Sequence, residues 1–384
     1  MKNNKKICFI FAWPIRTNPI LITMPFALNI IEILDKKGYK IDIYLSEYSN
    51  KSYENTFSKN VTLYFLDHNY LWPKEGILSF LSITNYFRQF SLFKLRNKYS
   101  YIFAGGMAGI TLGRILKKYN NQSQLIYLND EFPIQGKIDV WVKNEIISAQ
   151  KADVVVIPDE YRFTPLCKQI PNLHKKPHFT LPNIPLIDAS KNLPQINWHE
   201  YFQIDKSKKI FLMAGGLQEF NKINELIDSV ALWPDDTILI LKGKNDILGF
   251  KENFEKSNNS NKIILSSESF TPEELHSLIS FSTASFCLYQ PINENLKFVG
   301  KSSGKLMRSI LLGRPVIVSK SEAFNFVTDY NFGIQVSSPE EIAEAVNNIL
   351  LNNTEFNESC LKNYNHVSFE VYWEKFEKYL FKEQ

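Results

Sequence analysis

The chain has 384 residues, which suits two domains of ordinary size better than one. Apolar residues make up 44% and charged residues 22% of it, so it can bury a sizeable core and is not disordered as a whole. The formal charge of +4 is small for this length, which argues against a dedicated nucleic-acid-binding protein but leaves room for a local anion site.

The cysteines are far apart and form no C-x-x-C pair; they are Cys8, Cys167, Cys287 and Cys360. This spacing predicts neither a disulfide framework nor a zinc site, and it favours a cytoplasmic protein whose cysteines are small core residues. Nowhere do about 18 clearly apolar residues follow one another, so the sequence predicts no membrane-spanning helix.

The first apolar run, "KICFIF" at 6–11, follows a basic start, as in a signal peptide. Pro14 and Arg16 interrupt the run and no small-residue cleavage site follows, so a first buried strand is the better interpretation. Further continuous apolar runs, typical of strands covered on both faces, predict strands in the first half of the chain at 40–45, 61–66, 100–105, 124–130 and 153–159.

A second series of runs predicts strands at 209–215, 237–243, 262–267, 284–289, 314–319 and 332–336. Amphipathic stretches between the runs predict helices, among them 24–37, 222–232, 272–281, 303–312 and 339–351. The helix at 272–281 begins with a Thr cap, a Pro at its first position and two acids in its first turn.

Strand–helix alternation of this kind predicts parallel sheets with right-handed crossovers, and it occurs twice. We therefore predict an α/β protein of two doubly wound, Rossmann-like domains facing a cleft. The first domain covers 1–185, a proline-rich linker 186–207 and the second domain 208–366, followed by an amphipathic C-terminal helix at 367–384. Ligands in such sheets bind beyond the carboxyl ends of the strands.

The stretch "VGKSSGKLMRSILLGRPVIV" (299–318) combines a hydroxyl-rich turn, a lysine and a helix start. Helix N-termini attract phosphate, Ser302 and Ser303 add hydroxyl donors, Gly304 permits close approach and Lys305 adds a positive charge. The alternative is a serine-capped helix with a solvated lysine. The stretch is not a P-loop, because its glycines are four residues apart and Leu306 stands where a hydroxyl residue is required.

Other glycines and lysines follow the ends of predicted strands in the second half. Gly215 and Gly216 end one strand, with Lys222 at the start of the next helix, and Lys242 and Lys244 end another. A single lysine there is more often a solvated loop charge, whereas several predict a diphosphate pocket. No G-x-G-x-x-G fingerprint occurs, which argues against a dinucleotide-dependent dehydrogenase.

In the first half, "NDEFP" places Asp130 and Glu131 just past a strand end. A carboxylate there could orient or deprotonate an acceptor hydroxyl, although ordinary loop acids or a helix cap are equally compatible with the pattern. Gly105 and Gly106 begin another predicted strand-to-helix turn. Glycines there would allow either close approach of a substrate or close packing of the chain. No histidine has an obvious catalytic context, His276 is predicted within a surface helix, and no cluster has metal-ligand spacing.

The stretch 70–103 mixes aromatic residues with arginines and lysines. A basic amphipathic helix of this kind can touch a membrane that carries a lipid-linked acceptor. The same pattern suits a helix packed on the sheet, which is the favoured interpretation.

The region 270–319 resembles the donor half of nucleotide-sugar glycosyltransferases of the GT-B fold, nearest to family 4. The resemblance lies in "PEELHSLI", in a strand end with Tyr289 and a following proline, in "SSGKL" and in "GRPVI". It extends over about 205–350 and is weaker over 1–180, where "YLNDEFP" and "ADVVVIPDEYR" look like the acceptor domain of that family.

The resemblance implies a role for each matching position. Ser302, Ser303, Gly304 and Lys305 match the turn that holds the donor diphosphate, and Gly215, Gly216 and Lys222 match the loop on its other side. Ser267 to Phe270 match the loop that frames the base, and Tyr289 is a further donor-binding candidate. The C-terminal helix matches the segment that crosses back to the first domain.

One departure from the family pattern stands out. Gly300 and Arg308 occupy the positions of two glutamates, the second of which accepts hydrogen bonds from the ribose hydroxyls. An arginine cannot accept any. Arg308 either binds phosphate bidentately or lies on a solvated helix face.

The resemblance implies a retaining, metal-independent hexosyltransferase that needs no cofactor beyond its nucleoside diphosphate sugar. The acceptor would be a hydroxyl of a glycan, a lipid-linked molecule or a small molecule. The expected location is the cytoplasm, with peripheral contact at the inner face of the membrane as an option. The alternatives are a non-catalytic nucleotide-sugar-binding or scaffold protein, and an epimerase or hydrolase of the same fold.

Overall fold

The structure is a computed structural model that describes residues 6–13, 21, 24–46, 56–66, 84, 88, 97–134, 136, 138–184, 193–243 and 260–381. The chain divides into two compact units. Unit 1 comprises Met1–Leu186 and Tyr372–Gln384, and unit 2 comprises Ile187–Val371.

Unit 1 is built on a parallel sheet whose described strands follow the order β3-β2-β1-β4-β5-β6-β7. The strands are β1 (Lys6–Phe11), β2 (Lys40–Leu45), β3 (Val61–Phe65), β4 (Tyr101–Gly105), β5 (Gln124–Leu128), β6 (Val154–Ile157) and β7 (His178–Thr180). The helices among the described residues are α1 (Pro25–Lys36), α2 (Met107–Tyr119), α3 (Val140–Ala149) and α4 (Phe163–Gln169). The central strands are fully buried because nearly every residue in them is apolar.

The turn from β4 into α2 is where the strand order of unit 1 reverses. Gly106 has a φ of +75°, and a Cβ added there would lie 2.7 Å from the carbonyl oxygen of Ala12. A Cβ at Gly105 would meet the ring of Phe11 at 3.0 Å. Both glycines therefore allow close packing within unit 1, which is one of the two roles that the sequence left open for them.

Unit 2 is built on a second parallel sheet, with its described strands in the order β10-β9-β8-β11-β12-β13. The strands are β8 (Lys209–Ala214), β9 (Thr237–Lys242), β10 (Ile263–Ser266), β11 (Ala284–Cys287), β12 (Val316–Ser319) and β13 (Gly333–Val336). The helices are α5 (Trp198–Tyr201), α6 (Ile223–Ser229), α7 (Pro272–Phe281), α8 (Glu294–Lys297), α9 (Gly304–Leu311), α10 (Asn325–Asp329), α11 (Pro339–Leu351) and α12 (Asn353–Asn363).

Two apolar clusters cover the two faces of this sheet. One contains Phe211, Trp233 and Phe286, whose rings are in mutual contact, with residues of α6 and α11. The other contains Trp198, which is 1% exposed and donates a hydrogen bond from its indole N–H to Ser277 Oγ at 3.1 Å. Trp198 falls within the predicted linker, so part of that segment packs into the core of unit 2.

The C-terminal helix α13 (Phe369–Leu380) ends in unit 1. Phe376 contacts the rings of Phe103 and Phe179, and the hydroxyl of Tyr101 donates to the carbonyl oxygen of Leu380 at 2.6 Å. Aromatic residues of the predicted amphipathic helix therefore pack within unit 1, and the predicted return of the chain to the first domain is confirmed.

The predicted alternation of strands and helices is confirmed in both units, and each predicted strand occurs, up to three residues shorter. The capping box of α7 is also confirmed, since Thr271 Oγ1 accepts from the N–H of Glu274 and Glu274 accepts from the N–H of Thr271. The sequence did not predict β7, which has only three residues.

Candidate functional site

The strand order of unit 2 reverses between β8 and β11, and doubly wound sheets bind their ligands in the crevice at the carboxyl ends of the strands on either side of such a point. The loop after β8 begins with Gly215 and Gly216, which are both exposed. The two loops are tied together, because the N–H of Gln290 donates to the carbonyl oxygen of Phe220 at 2.7 Å and Asn221 Nδ2 donates to that of Leu288 at 3.4 Å.

Glycine is required where β8 ends. Gly215 has a φ of +122°, and Gly243, which follows β9, has a φ of +153°. A Cβ on Gly243 would lie 1.7 Å from the carbonyl oxygen of Gly215, so no other residue fits. A Cβ on Gly216 would meet only the side chain of Gln218, at 3.9 Å, and Lys222, the N-cap of α6, has a left-handed conformation with a φ of +51°.

Lys305 lies at this crevice. Its helix α9 is capped by Ser303, whose Oγ accepts from the N–H of Leu306 at 3.4 Å, as the serine-capped interpretation predicts. The lysine is nevertheless partly buried: its stem lies 3.9 Å from the Cβ position of Gly215, and its ammonium lies 4.7 Å from the ring centroid of Tyr289. Burial lowers its pKa.

No carboxylate pairs with Lys305 in the part of the chain that the structure describes. The thiol of Cys287 acts on the lysine pKa in the opposite direction, but burial raises the pKa of that thiol to about 12. Cys287 is therefore neutral near pH 7. The crevice contains a desolvated positive charge that nothing in the described structure neutralises.

Tyr289 joins this lysine to the helix start. Its hydroxyl lies 2.7 Å from Ser303 Oγ, and its N–H donates to Ser319 Oγ at 2.8 Å. Burial raises its pKa, so the phenol stays neutral. The structure thus brings four predicted residues together: Gly215, Tyr289, Ser303 and Lys305.

A cavity of about 410 Å³ opens beside Tyr289, at the ends of β11 and β12. Its lining includes Lys297, Ser319 and Lys320, which were not predicted as site residues. Lys297 ends a one-turn helix, Ser319 is the last residue of β12 and Lys320 follows it, so no sequence pattern marks them as a site. The volume is in the range of small-molecule pockets.

Lys242 and Phe270 form a separate group. The Lys242 ammonium donates to the carbonyl oxygen of Glu268 and lies 4.0 Å from the ring centroid of Phe270. Phe270 in turn packs on Trp198, at 5.3 Å between ring centroids. Both side chains thus hold the loop after β10, in which Ser267 is exposed. The predicted Lys244 lies outside the described residues.

Arg308 lies one turn beyond Lys305 on α9. It is partly buried, burial lowers its pKa, and its buried Nε has no hydrogen-bond partner in the described structure. Its neighbour His276 is 8% exposed, and burial together with Arg308 lowers the histidine pKa to about 4. His276 lies in the predicted helix, which has an exposed face at Pro272 and Glu273, but the histidine is on the buried face, because that face of α7 packs towards α9.

The other predicted turn residues have structural contacts. The hydroxyl of Ser302 donates to the carbonyl oxygen of Val299, within a short 3₁₀ helix that begins at Gly300. Gly304 is the first residue of α9 and is partly buried. Ser303 is therefore the hydroxyl that both caps the helix and contacts Tyr289.

In unit 1, Asp130 and Glu131 follow β5. Asp130 is partly buried, and burial raises its pKa to about 7, while the charge of Arg162 acts in the opposite direction. Arg162 is 2% exposed, donates from Nη2 to the carbonyl oxygen of Asp130 at 2.8 Å and lies over the ring of Phe132 at 4.7 Å. Glu131 is exposed.

A buried polar chain lies behind Asp130. The hydroxyl of Tyr127 donates to Glu145 Oε1 at 2.7 Å, and Asn129 Nδ2 donates to the Tyr127 hydroxyl at 2.9 Å. Burial raises the pKa of Glu145 to about 7. The sequence analysis missed Glu145, although it lies four residues after Trp141 and three before Ser148, on the buried stripe of α3.

Within the described ranges, no group of three or more His, Cys, Asp or Glu side chains could hold a metal ion. No described helix is both long and apolar enough to cross a membrane. Most of the basic aromatic stretch at 70–103 lies outside the described residues.

No protein-family model and no curated relative matches the sequence. Solved structures do match. HepE from Anabaena, in complex with UDP, is 12% identical over 98% of this chain and 99% of its own, with a TM-score of 0.71. Sucrose-phosphate synthase from Thermosynechococcus elongatus is 13% identical over 99% of this chain and 100% of its own, with a TM-score of 0.74.

The lipopolysaccharide outer core galactosyltransferase WaaB is also similar, at 12% identity over 99% of this chain and 100% of its own, with a TM-score of 0.67. At such identities the likeness concerns the fold. The chain has the GT-B fold that these proteins share, as the sequence predicted. Membership of family 4 stays a prediction.

Proposed function

We propose that the chain is a glycosyltransferase that moves a sugar from a nucleoside diphosphate sugar to a hydroxyl acceptor. The observation that carries the proposal is the unneutralised, partly buried ammonium of Lys305 at the crevice between β8 and β11. This is the place where doubly wound sheets bind their ligands. The solved structures of HepE with UDP and with UDP-glucose support a nucleotide-sugar donor.

In this proposal the donor diphosphate binds at the N-terminus of α9. Lys305 supplies a full charge, the helix supplies its positive dipole end, and the open backbone at Gly216 permits close approach. The same groups stabilise the charge that develops on the leaving diphosphate. We therefore propose a metal-independent reaction with the nucleoside diphosphate sugar as co-substrate and no further cofactor.

We propose that Asp130 orients or deprotonates the acceptor hydroxyl. A carboxyl whose pKa is about 7 can accept a proton near neutral pH, and Arg162 and the polar chain of Tyr127 and Glu145 fix its surroundings. The resemblance further favours a retaining hexosyl transfer in which the leaving diphosphate assists acceptor deprotonation. The proposed acceptors are glycans, lipid-linked molecules or small molecules, and the proposed location is the cytoplasm or the inner face of the membrane.

The test is release of nucleoside diphosphate from a panel of UDP-, GDP-, ADP-, dTDP- and CDP-sugars, with and without sugar acceptors. The proposal predicts acceptor-dependent release that Lys305→Met reduces at least tenfold and that Lys118→Met, at an exposed site of unit 1, leaves unchanged. Donor binding without transfer to any acceptor would instead identify a non-catalytic nucleotide-sugar-binding protein. Free sugar or an epimerised donor without acceptor would identify a hydrolase or an epimerase.

A further inference from the structure

A second cavity lies at the opposite edge of the sheet of unit 2. It has a volume of about 310 Å³. Its lining includes Lys209 at the start of β8, Thr283 just before β11 and Arg314 just before β12. Because all strands of this sheet are parallel, their amino ends share one edge, and Lys305 lies at the other. The cavity is therefore separate from the candidate donor site.

The lining of this cavity is strongly basic. Its basic side chains are His199, Lys206, Lys208, Lys209 and Arg314. None of the lining residues, all of which belong to the described part of the chain, is an aspartate or a glutamate. Like charges gathered around a concave surface raise the local potential and attract anions.

Arg314 makes this cavity more than a cluster of surface lysines. It is partly buried, and its buried Nε has no hydrogen-bond partner in the described structure. Its electrostatic neighbour is the thiol of Cys360, which is buried and therefore neutral near pH 7. Because its buried Nε makes no hydrogen bond, this part of the guanidinium carries a desolvation cost that a bound anion would offset.

Two carboxylates lie near the rim of the cavity. Hydrogen bonds from Ser207, at 2.8 Å from its N–H and 2.7 Å from its hydroxyl, and the charges of Lys208 and His199 lower the pKa of Asp205. The pairing with Lys262 at 2.8 Å and the charge of Lys208 lower the pKa of Asp235. The two carboxylates therefore offset part of the charge of Lys208, whereas no carboxylate in the described structure acts on the pKa of Arg314.

The start of α12 also lines the cavity. Asn353 lines the cavity as the first residue of this helix of 11 residues, and no side chain caps the helix in the described structure. Its Nδ2 donates to the carbonyl oxygen of Thr283 at 3.2 Å, which holds the helix start against β11.

We propose that this cavity is a binding site for a phosphate-bearing anion, separate from the candidate donor site. Its volume suits a phosphorylated small molecule or the headgroup of a phospholipid, and it exceeds what a single phosphate group fills. The two sources share the phosphate that the guanidinium and the lysines recognise.

The first experiment is calorimetric binding of inorganic pyrophosphate to the full chain and to variants. The double variant Lys206→Gln/Lys209→Gln removes two exposed charges, and Lys118→Gln/Lys151→Gln removes two exposed charges in unit 1 as a matched control. We expect Lys206→Gln/Lys209→Gln to raise the dissociation constant of pyrophosphate at this cavity at least tenfold, and the control double variant to change it less than twofold. Lys305→Ala must leave this binding event in place, which separates it from the donor site.

Arg314→Gln distinguishes a built site from general surface charge. It is expected to weaken pyrophosphate binding at least tenfold without lowering the melting temperature, because the unpaired guanidinium does not stabilise the empty cavity. Unchanged pyrophosphate binding in folded Arg314→Gln would overturn the proposal.

The second experiment separates the two sources of phosphate. The chain is sedimented with vesicles of phosphatidylcholine alone and with vesicles that also contain phosphatidylglycerol. If the chain binds the anionic vesicles and Lys206→Gln/Lys209→Gln abolishes this binding, the ligand is a phospholipid headgroup. If the chain binds pyrophosphate but not the vesicles, the ligand is a soluble phosphorylated molecule. Binding of neither probe, or binding that the double variant leaves intact, would show that the cavity is not a phosphate site.

Discussion

Glu145→Gln tests how the polar chain behind Asp130 is held in unit 1. Glu145 is 4% exposed and accepts a hydrogen bond from the Tyr127 hydroxyl at 2.7 Å. Burial raises its pKa from 4.5 to about 7. Glutamine keeps the shape and the acceptor oxygen but cannot ionise, so the substitution isolates the cost of the buried charge.

The raised pKa of Glu145 gives both the sign and the magnitude of the expected change in the free energy of unfolding. Because the pKa of the folded state lies above that of the unfolded chain, the folded state binds more protons between pH 4.5 and about 7, and stability falls as the pH rises through this window. At 1.36 kcal/mol per pH unit, a pKa raised from 4.5 to about 7 corresponds to about 3 kcal/mol. Glu145→Gln is therefore expected to equal the parent near pH 4 and to exceed its free energy of unfolding by about 3 kcal/mol near pH 8.

The assay is urea unfolding at several pH values, followed by tryptophan fluorescence, since Trp141 lies one turn from Glu145 on α3. A chain of two units can unfold in more than one step, so the transition to follow is the one that contains the Trp141 signal. The exposed Glu160→Gln serves as the control for a lost carboxylate in unit 1. A difference between Glu145→Gln and the parent that stays constant from pH 4 to pH 8 would refute the reasoning.

Further predictions concern the two candidate site regions. Gly243→Ala is expected to destabilise unit 2 by about 3 kcal/mol in urea unfolding, because of its positive φ and the clash with Gly215, whereas Gly216→Ala is expected to change stability by less than about 0.5 kcal/mol. Lys305→Met keeps the apolar stem of the side chain but removes its charge. It is therefore expected to weaken binding of the preferred nucleoside diphosphate at least tenfold without lowering the melting temperature. A large drop in melting temperature with unchanged affinity would instead identify a structural lysine. If Asp130 is the base, the transfer rate rises as the pH passes about 7, and Asp130→Asn removes that rise; a parent rate that is flat from pH 5.5 to 8.5 would exclude this role.

The fold could be predicted from the sequence because local patterns and the global arrangement agree. Runs such as "KICFIF" at 6–11 and "TILILK" at 237–242 are apolar throughout, which only a strand buried on both faces tolerates. Thr271 and Pro272 mark a helix start without reference to the rest of the chain. The three-residue β7 has too little pattern to be recognised before its neighbour β6 is in place.

The candidate donor site could be predicted only in part. Ser303 and Lys305 were recognisable, because a hydroxyl residue and a lysine at a helix start have a direct physical meaning. Lys242, the last residue of β9, was also a candidate, yet its ammonium donates to a carbonyl oxygen and lies over the ring of Phe270. Which of these lysines remains without a partner depends on tertiary contacts, and the spacing of residues in the sequence does not predict such contacts.

Burial of ionisable groups was the main feature that the sequence did not predict. His276 lies in a helix rich in acids and serines that resembles a surface helix, but the packing of α7 towards α9 buries it. Gly243 could be read as an ordinary turn glycine, whereas its real constraint is the carbonyl of Gly215, 28 positions earlier in the chain. Such long-range contacts decide both the pKa values and the permitted residues.

The central claim is that the crevice at Lys305 binds the diphosphate of a nucleotide sugar. Calorimetric titration of UDP, GDP, ADP, dTDP and CDP, each beside its monophosphate, tests it most directly, in the parent and in Lys305→Met. The account predicts that one diphosphate binds at least tenfold more tightly than its monophosphate, and that Lys305→Met removes most of this preference. Equal affinity for the diphosphate and the monophosphate, or binding of none of these nucleotides, would contradict it.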